Sequence, residues 1–234
     1  MISKILVTGG DGRFARVLRK KNKKLNLIFK SKKSLDILNY KSLEKKIKKI
    51  KPKIIFHTAG LSRPMHLHET YITKSIDLNI IGTCNIVKIC EKFNIKLIFF
   101  STGYVYEGKK GNYKENDPVK PFNNYGLSKL AGECAVQMYK NSLILRITMT
   151  EKPFAYKNAY SNLKTNFMFH EDLVHLLPKL INKKGIINVG GKSQSVFKFA
   201  KKSNPKVKSI KAKKSSKLPL NQTMNLSLLN KIIK

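Results

Sequence analysis

The sequence has 234 residues, 41% of them apolar, and carries 48 Lys+Arg against 13 Asp+Glu for a formal net charge of +35. At about 100–200 residues per domain the length fits one domain with at most a small appendage, and the apolar fraction excludes global disorder. No apolar run approaches the roughly 20 residues of a membrane-spanning helix, and three cysteines (Cys84, Cys90, Cys134) without a CxxC pair argue against a disulfide framework or a zinc site.

Met1–Val7 is a β-branched run interrupted only at Lys4, as expected of a buried parallel strand. It runs straight into Thr8-Gly9-Gly10-Asp11-Gly12-Arg13-Phe14-Ala15 with no cleavage-site pattern, so no signal peptide and a reduced, cytoplasmic location are expected. Phe14–Leu18 has helical spacing and a basic end at Arg19–Lys24, and Leu25–Phe29 follows as a second strand. Leu43, Ile47 and Ile50 predict an amphipathic helix over Ser42–Ile50, stopped by Lys51-Pro52. Lys53–Thr58 is a third strand, Ile72–Phe93 one long helix, Ile95–Phe100 a fourth strand, Asn124 to about Lys140 a helix and Leu143–Ile147 a fifth strand. This alternation implies right-handed βαβ units and an α/β, doubly wound parallel sheet. After Met149 the rhythm breaks: Glu151–Thr165 reads as irregular, followed by helices near Glu171–Ile181, Val196–Lys202 and Asn225–Ile232 and a strand near Ile186–Val189. The expected organisation is a dinucleotide-binding domain over residues 1–148 and a small, shortened substrate lobe over 149–234 packed on it.

The charge invites a nucleic-acid interpretation, because clustered basic side chains release counterions from phosphates. Yet 43 of the 48 basic residues are lysine, spread over most of the chain, and only Arg13, Arg16, Arg19, Arg63 and Arg146 are arginine. The densest stretch, Lys198–Lys217, has almost no aromatics after Phe199, whereas single-strand platforms interleave rings with cations. Neither a nucleic-acid nor a membrane partner is expected.

Two segments carry chemistry. A strand, the glycines of residues 9–12 and a helix place backbone N–H groups and a positive helix terminus against a pyrophosphate. Tyr125-Gly126-Leu127-Ser128-Lys129 puts a phenol and an ammonium one turn apart on a helix, where the lysine is expected to lower the phenol's pKa and make it an acid or base near neutrality. Ser101-Thr102 ends the fourth strand, at the carboxyl edge where ligands sit in such sheets.

In this order, glycine loop, Ser-Thr and YxxxK resemble the short-chain dehydrogenase/reductase superfamily, extended branch. Residues 101–108 (STGYVYEG), 113–118 (YKENDP) and 124–133 (NYGLSKLAGE) are similar to the dTDP-4-dehydrorhamnose reductase family, as are Leu35-Asp36-Ile37, His57-Thr58-Ala59-Gly60 and residues 79–83 (NIIGT). In the tail, residues 170–173, 185–191 and 218–229 resemble pieces of that family's substrate lobe. The resemblance implies a Rossmann-type fold and NAD(P)H-dependent reduction of a 4-keto-6-deoxy nucleotide sugar. By it Tyr125 is the proton donor, Lys129 holds the nicotinamide ribose and Thr102 bonds the reacting oxygen, with Ser101 as a lesser substitute. Gly9, Asp11, Gly12, Arg13 and Phe14 would form the phosphate loop. Asp36 and Ile37 would lie near adenine, and Thr58, Ala59, Gly60 and Asn79 along the cofactor. Lys30, followed by Lys32 and Lys33, with Arg13 in the glycine loop, favours NADP, with NAD possible, since no acid ends the second strand to repel a 2′-phosphate.

The chain departs from the family in three places. It is short between Ile147 and Phe167, Leu218 stands where an arginine usually precedes the proline, and Gly103 replaces the cysteine of related epimerase-reductases. Lys157, Lys164 or Lys217 is the expected grip on a sugar diphosphate. Epimerisation or dehydration by the same superfamily, or a non-catalytic NADP-binding regulatory subunit, are the alternatives. The apolar faces of Ile72–Phe93 and Tyr125–Lys140 suggest a homodimer. His66, His68, His170 and His175 lack a carboxylate constellation for a metal and read as surface or loop histidines.

Overall fold

The computed structural model describes residues 3–213 and 218–234. In chain order β1 (Lys4–Thr8), α1 (Arg13–Lys21), β2 (Asn26–Lys30), α2 (Tyr40–Ile50) and β3 (Ile54–His57) come first. They are followed by α3 (Leu67–Thr70), α4 (Ile72–Ile76), a π turn at Asp77–Ile81, α5 (Gly82–Lys92), β4 (Lys96–Thr102), a short 3-10 turn at Gly103–Val105, α6 (Asn124–Gln137) and β5 (Ser142–Ile147). The remainder comprises β6 (Met149–Thr150), β7 (Asn158–Tyr160), β8 (Lys164–Thr165), β9 (Met168–Phe169), α7 (His170–Leu180), β10 (Gly185–Val189), β11 (Gln194–Ser195), α8 (Val196–Lys201), β12 (Lys208–Ile210) and α9 (Ser227–Ile233).

Six strands in the order β10-β5-β4-β3-β1-β2 form one sheet, every pair parallel. The β-branched runs become strands because both faces are covered. Ile5 and Val7 enter the core on the side of α1 and α7, and Leu6 between them enters the other, with Leu43, Ile47, Ile86, Ile89 and Val136 from α2, α5 and α6. The same alternation sends Ile98 and Phe100 one way and Leu97 and Phe99 the other. From β1 the chain crosses to β2 on one side and then to β3 on the other. The crevice between the carboxyl ends of β1 and β3 is therefore a topological switch point, the place where ligands bind in such sheets.

Residues 170–189, beyond the expected boundary at 148/149, add α7 and the sixth strand to this layered core. A smaller apolar cluster of Phe154, Ala159, Val196, Phe199, Ala200 and Val207 sits under the short sheets β7–β12 and β8–β11. No helix lies between β5 and β9. Glu151–Thr165, read as irregular, contains β7 and β8, each paired with a strand more than 25 residues later, which local pattern cannot reveal. The single helix expected over Ile72–Phe93 is divided by the π turn, whose extra residue turns Asn79 inward. Asn79 Oδ1 accepts from Leu61 N at 2.7 Å, and its Nδ2 donates to Leu61 O and to Ser128 Oγ, both at 2.9 Å. Among the described residues no helix is long and apolar enough to cross a membrane.

Candidate active site

The glycine loop passes close under the β3 strand end. Gly9 has φ +65°, and a Cβ there would lie 2.7 Å from Ala59 Cα, so this crossing requires glycine. Thr8 holds the two strand ends together: its Oγ1 accepts from Ala59 N at 3.1 Å and its carbonyl accepts from Thr58 Oγ1 at 2.6 Å. Gly12 caps α1 without a side-chain bond, and the first turn of that helix has no acidic residue. Its N–H groups and positive terminus are thus free of any internal carboxylate cap, an arrangement suited to a dinucleotide phosphate.

A cavity of about 660 Å³ opens at the switch point, within the size range of cofactor and substrate clefts. Of the residues expected at the site, Gly12, Arg13, Phe14, Thr58, Ala59, Gly60, Asn79, Thr102, Tyr125 and Lys129 line it. Gly9, Asp11, Lys30, Asp36 and Ile37 are outside this lining. Asp36 is turned to its own backbone, accepting from Leu38 N at 3.0 Å, while Ile37 is buried in the core under Gly82. Lys30 closes β2, and its carbonyl accepts from Gly10 N at 2.8 Å.

Three elements converge on the chemistry. β4 delivers Ser101 and Thr102, which part company. Ser101 Oγ donates to the buried Glu133 carboxylate at 2.5 Å, whereas Thr102 lies beside the Tyr125 phenol. α6 starts at the Asn123 cap, whose side chain accepts from Gly126 N at 2.8 Å. At Gly126 the helix approaches the 3-10 turn so closely that any Cβ would collide with the Tyr104 carbonyl oxygen. This contact seats the Tyr125 ring between Tyr104 and His68, with centroids 5.9 and 5.0 Å away. Glu69 steadies the same helix start by accepting from Asn124 Nδ2 at 2.6 Å.

The electrostatics differ from the sequence expectation. Burial pushes the Tyr125 phenol up to about 12. The Thr102 hydrogen bond, Arg63 and Arg13 act downward, and Lys129 is not among the groups that lower it. The reason is the state of the lysine itself. Lys129 is 7% exposed, with Nζ 4.0 Å from the Phe99 ring centre, and burial lowers it to about 7 against a partial upward pull from Glu133. Under the site, Glu133 pairs with Arg146 at 2.9 Å in full burial, and Arg146 also donates to Tyr106 Oη at 2.9 Å.

Two of the histidines read as surface residues are buried, because the folded chain covers them. His68 is enclosed by the 66–75 segment and bonds Ser75 Oγ at 2.8 Å, while His170 is 5% exposed in the cavity wall, packed edge-on against Phe14. Among the described residues no group of three or more His, Cys, Asp or Glu could hold a metal ion. Sequence reasoning also missed Arg63 and Glu151, both in the cavity lining. Their only signal was rarity, an arginine and an acid in a lysine-dominated chain. Of the candidate diphosphate lysines, Lys157 lines the cavity, Lys164 is exposed on β8, and Lys217 lies outside the described residues.

The chain is 29% identical over 154 residues to the dTDP-4-dehydrorhamnose reductase of Aggregatibacter actinomycetemcomitans, spanning 64% of this chain and 52% of that protein. It is 32% identical over 114 residues to methionine adenosyltransferase 2 subunit beta of Xenopus laevis, spanning 48% and 34%. The chain thus spans about half or less of the length of these curated relatives. In structure it is similar to a Bacillus anthracis dTDP-4-dehydrorhamnose reductase solved in complex with NADP. The TM-score is 0.87 at 23% identity, over 98% of this chain and 92% of that one. The model of the family described as RmlD substrate binding domain matches residues 3–168, well over half of the sequence, and the chain belongs to that family.

Proposed function

We propose that this protein is an NADPH-dependent reductase of a 4-keto-6-deoxy nucleotide sugar. The observation that carries this reading is the meeting of Thr102, Tyr125 and Lys129 on one wall of a cavity whose other wall is the uncapped start of α1. The nicotinamide, when bound, supplies the hydride. Tyr125 gives a proton to the ketone oxygen, and a phenol held at about 12 keeps that proton ready at neutral pH. The Thr102 hydroxyl bonds the same oxygen, and Lys129 holds the nicotinamide ribose. Lys30 at the end of β2 and Lys32 and Lys33 just beyond it, with no acid at that strand's end, support NADP over NAD. The aromatic lobe residues Phe154, Tyr156, Tyr160 and Phe167 form the far side of the cavity, where the nucleotide sugar would lie.

The test supplies NADPH with a panel of 4-keto-6-deoxy nucleotide sugars and follows cofactor oxidation. Wild-type turnover is expected, falling about 10²- to 10⁴-fold in Tyr125→Phe. No turnover with any sugar, or undiminished turnover in the variant, defeats the reading. The match to the methionine adenosyltransferase subunit supports a second one, a cofactor-binding regulatory subunit. Tight NADPH binding without turnover would favour it. The exposed Tyr71 just before α4, Ile72 and Ile76 on it, Ile81 in the π turn and Leu127 on α6 support a homodimer through these helices, which sedimentation at micromolar concentration would refute by finding only monomer.

A further inference from the structure

Arg13 and Arg63 enter the cavity from the two lips of the switch point and meet on one carboxylate. Arg13 is the first residue of α1, and Arg63 lies in the loop after β3. Arg13 Nε is 3.2 Å from Glu151 Oε1, and Arg63 Nη1 is 2.8 Å from Glu151 Oε2. Thr150 Oγ1 also donates to Oε2, at 3.2 Å. Glu151 comes from the opposite wall, immediately after β6. In the same lining His170 is 5% exposed, and its Nδ1 has no hydrogen-bond partner. Two guanidiniums share one carboxylate, with Arg13 Nη2 turned to Ser62 Oγ at 3.2 Å, in a cavity whose wall also holds His170 and the uncapped first turn of α1.

We propose that Glu151 is a built-in competitor for the dinucleotide's diphosphate, occupying Arg13 and Arg63 until the ligand displaces it. The inference rests on the dinucleotide reading given above. The diphosphate bridge as a whole offers twice the charge and twice the free oxygens of one carboxylate, so it engages both arginines and the N–H groups of α1 together. Glu151 is tethered to β6 and meets the arginines and its neighbour Thr150. Ligand binding transfers Arg13 and Arg63 from Glu151 to the phosphate, and Glu151 acts as a built-in competitor. The position of Arg13 at the glycine loop assigns the site to the dinucleotide rather than to the diphosphate of a nucleotide sugar.

The experiment titrates NADPH, and separately dTDP, into wild type, Glu151→Gln and a charge control, Glu44→Gln, at fixed ionic strength. Glu44 pairs with Lys92 between the outer helices α2 and α5, so its removal reports the general effect of one charge fewer. Glu151→Gln is expected to lower the NADPH Kd about three- to tenfold, the scale of two part-exposed ion pairs released. Glu44→Gln should leave it within about twofold, and Arg63→Met added to Glu151→Gln should abolish the gain. Should Glu151→Gln fail to fold by circular dichroism, Thr150→Val removes the hydroxyl that steadies Oε2 and is expected to tighten NADPH about twofold. Unchanged or weaker NADPH binding by the folded variant overturns the proposal. So does equal tightening by Glu44→Gln, or tightening of dTDP alone. NADPH binding by none of the proteins refutes the dinucleotide reading itself and takes this site with it.

Discussion

Lys129→Met is expected to stabilise the chain, by an amount that shrinks as pH rises. The lysine is 7% exposed in the cavity wall, and burial holds its ammonium near pH 7 instead of the ordinary 10.5, Glu133 returning only part of the loss. Between those two values the unfolded chain binds more protons than the folded one, so unfolding free energy rises with pH across the window. The penalty is fully present below pH 7 and gone above about 10.5. At about 1.4 kcal/mol per pH unit it amounts to ~5 kcal/mol in all. Methionine fills the same aliphatic volume without a charge, so the difference between the two proteins isolates the ammonium from the other titrating groups. Urea denaturation followed by circular dichroism, in unit steps from about pH 6.5 to about 9.5, measures it. The variant should be ~3–5 kcal/mol more stable at the acid end, with the gap closing by ~1 kcal/mol per unit. A gap independent of pH, or a variant less stable than wild type throughout, refutes the argument.

Two further substitutions test the geometry around the site. Gly126→Ala places a methyl against the Tyr104 carbonyl and Pro121, forcing the start of α6 outward. Overpacking of this kind costs ~1–3 kcal/mol, and the displaced Tyr125 should lower turnover about 10²-fold in the NADPH-oxidation assay. Arg146→Met strands the fully buried Glu133 carboxylate and should cost ~3–5 kcal/mol in thermal or urea melts. Adding Glu133→Leu should recover most of that loss, and a double variant no better than the single one contradicts the pairing argument.

Strand and helix identities were legible because each obeys a local rule. Leu6 between Ile5 and Val7 is apolar on both faces, so it could only be a strand buried from both sides. Leu43 and Ile47 lie one turn apart and could only be a buried stripe. The glycine loop and the 125–129 pair could be placed because they sit at strand and helix ends whose order follows from right-handed crossovers. The π turn escaped because nothing in residues 77–81 breaks helical spacing. It exists to bring Asn79 onto Leu61 and Ser128, partners 18 and 49 positions away. Burial of His170 escaped for the same kind of reason, since its cover is Phe14, from the far end of the chain.

By itself the sequence determined the alternating strands and helices of the doubly wound sheet, a glycine turn straight after β1 and the Tyr125 and Lys129 pair one turn apart on a helix, each a pattern written in neighbouring residues. Only the tertiary structure decided how those groups are charged. It buried Lys129 enough to lower its pKa to about 7, spent Ser101 on Glu133, and set Arg63 and Arg13 on Glu151. Ionisation depends on every charge and on the water excluded within several ångströms, and most of those neighbours arrive from distant segments.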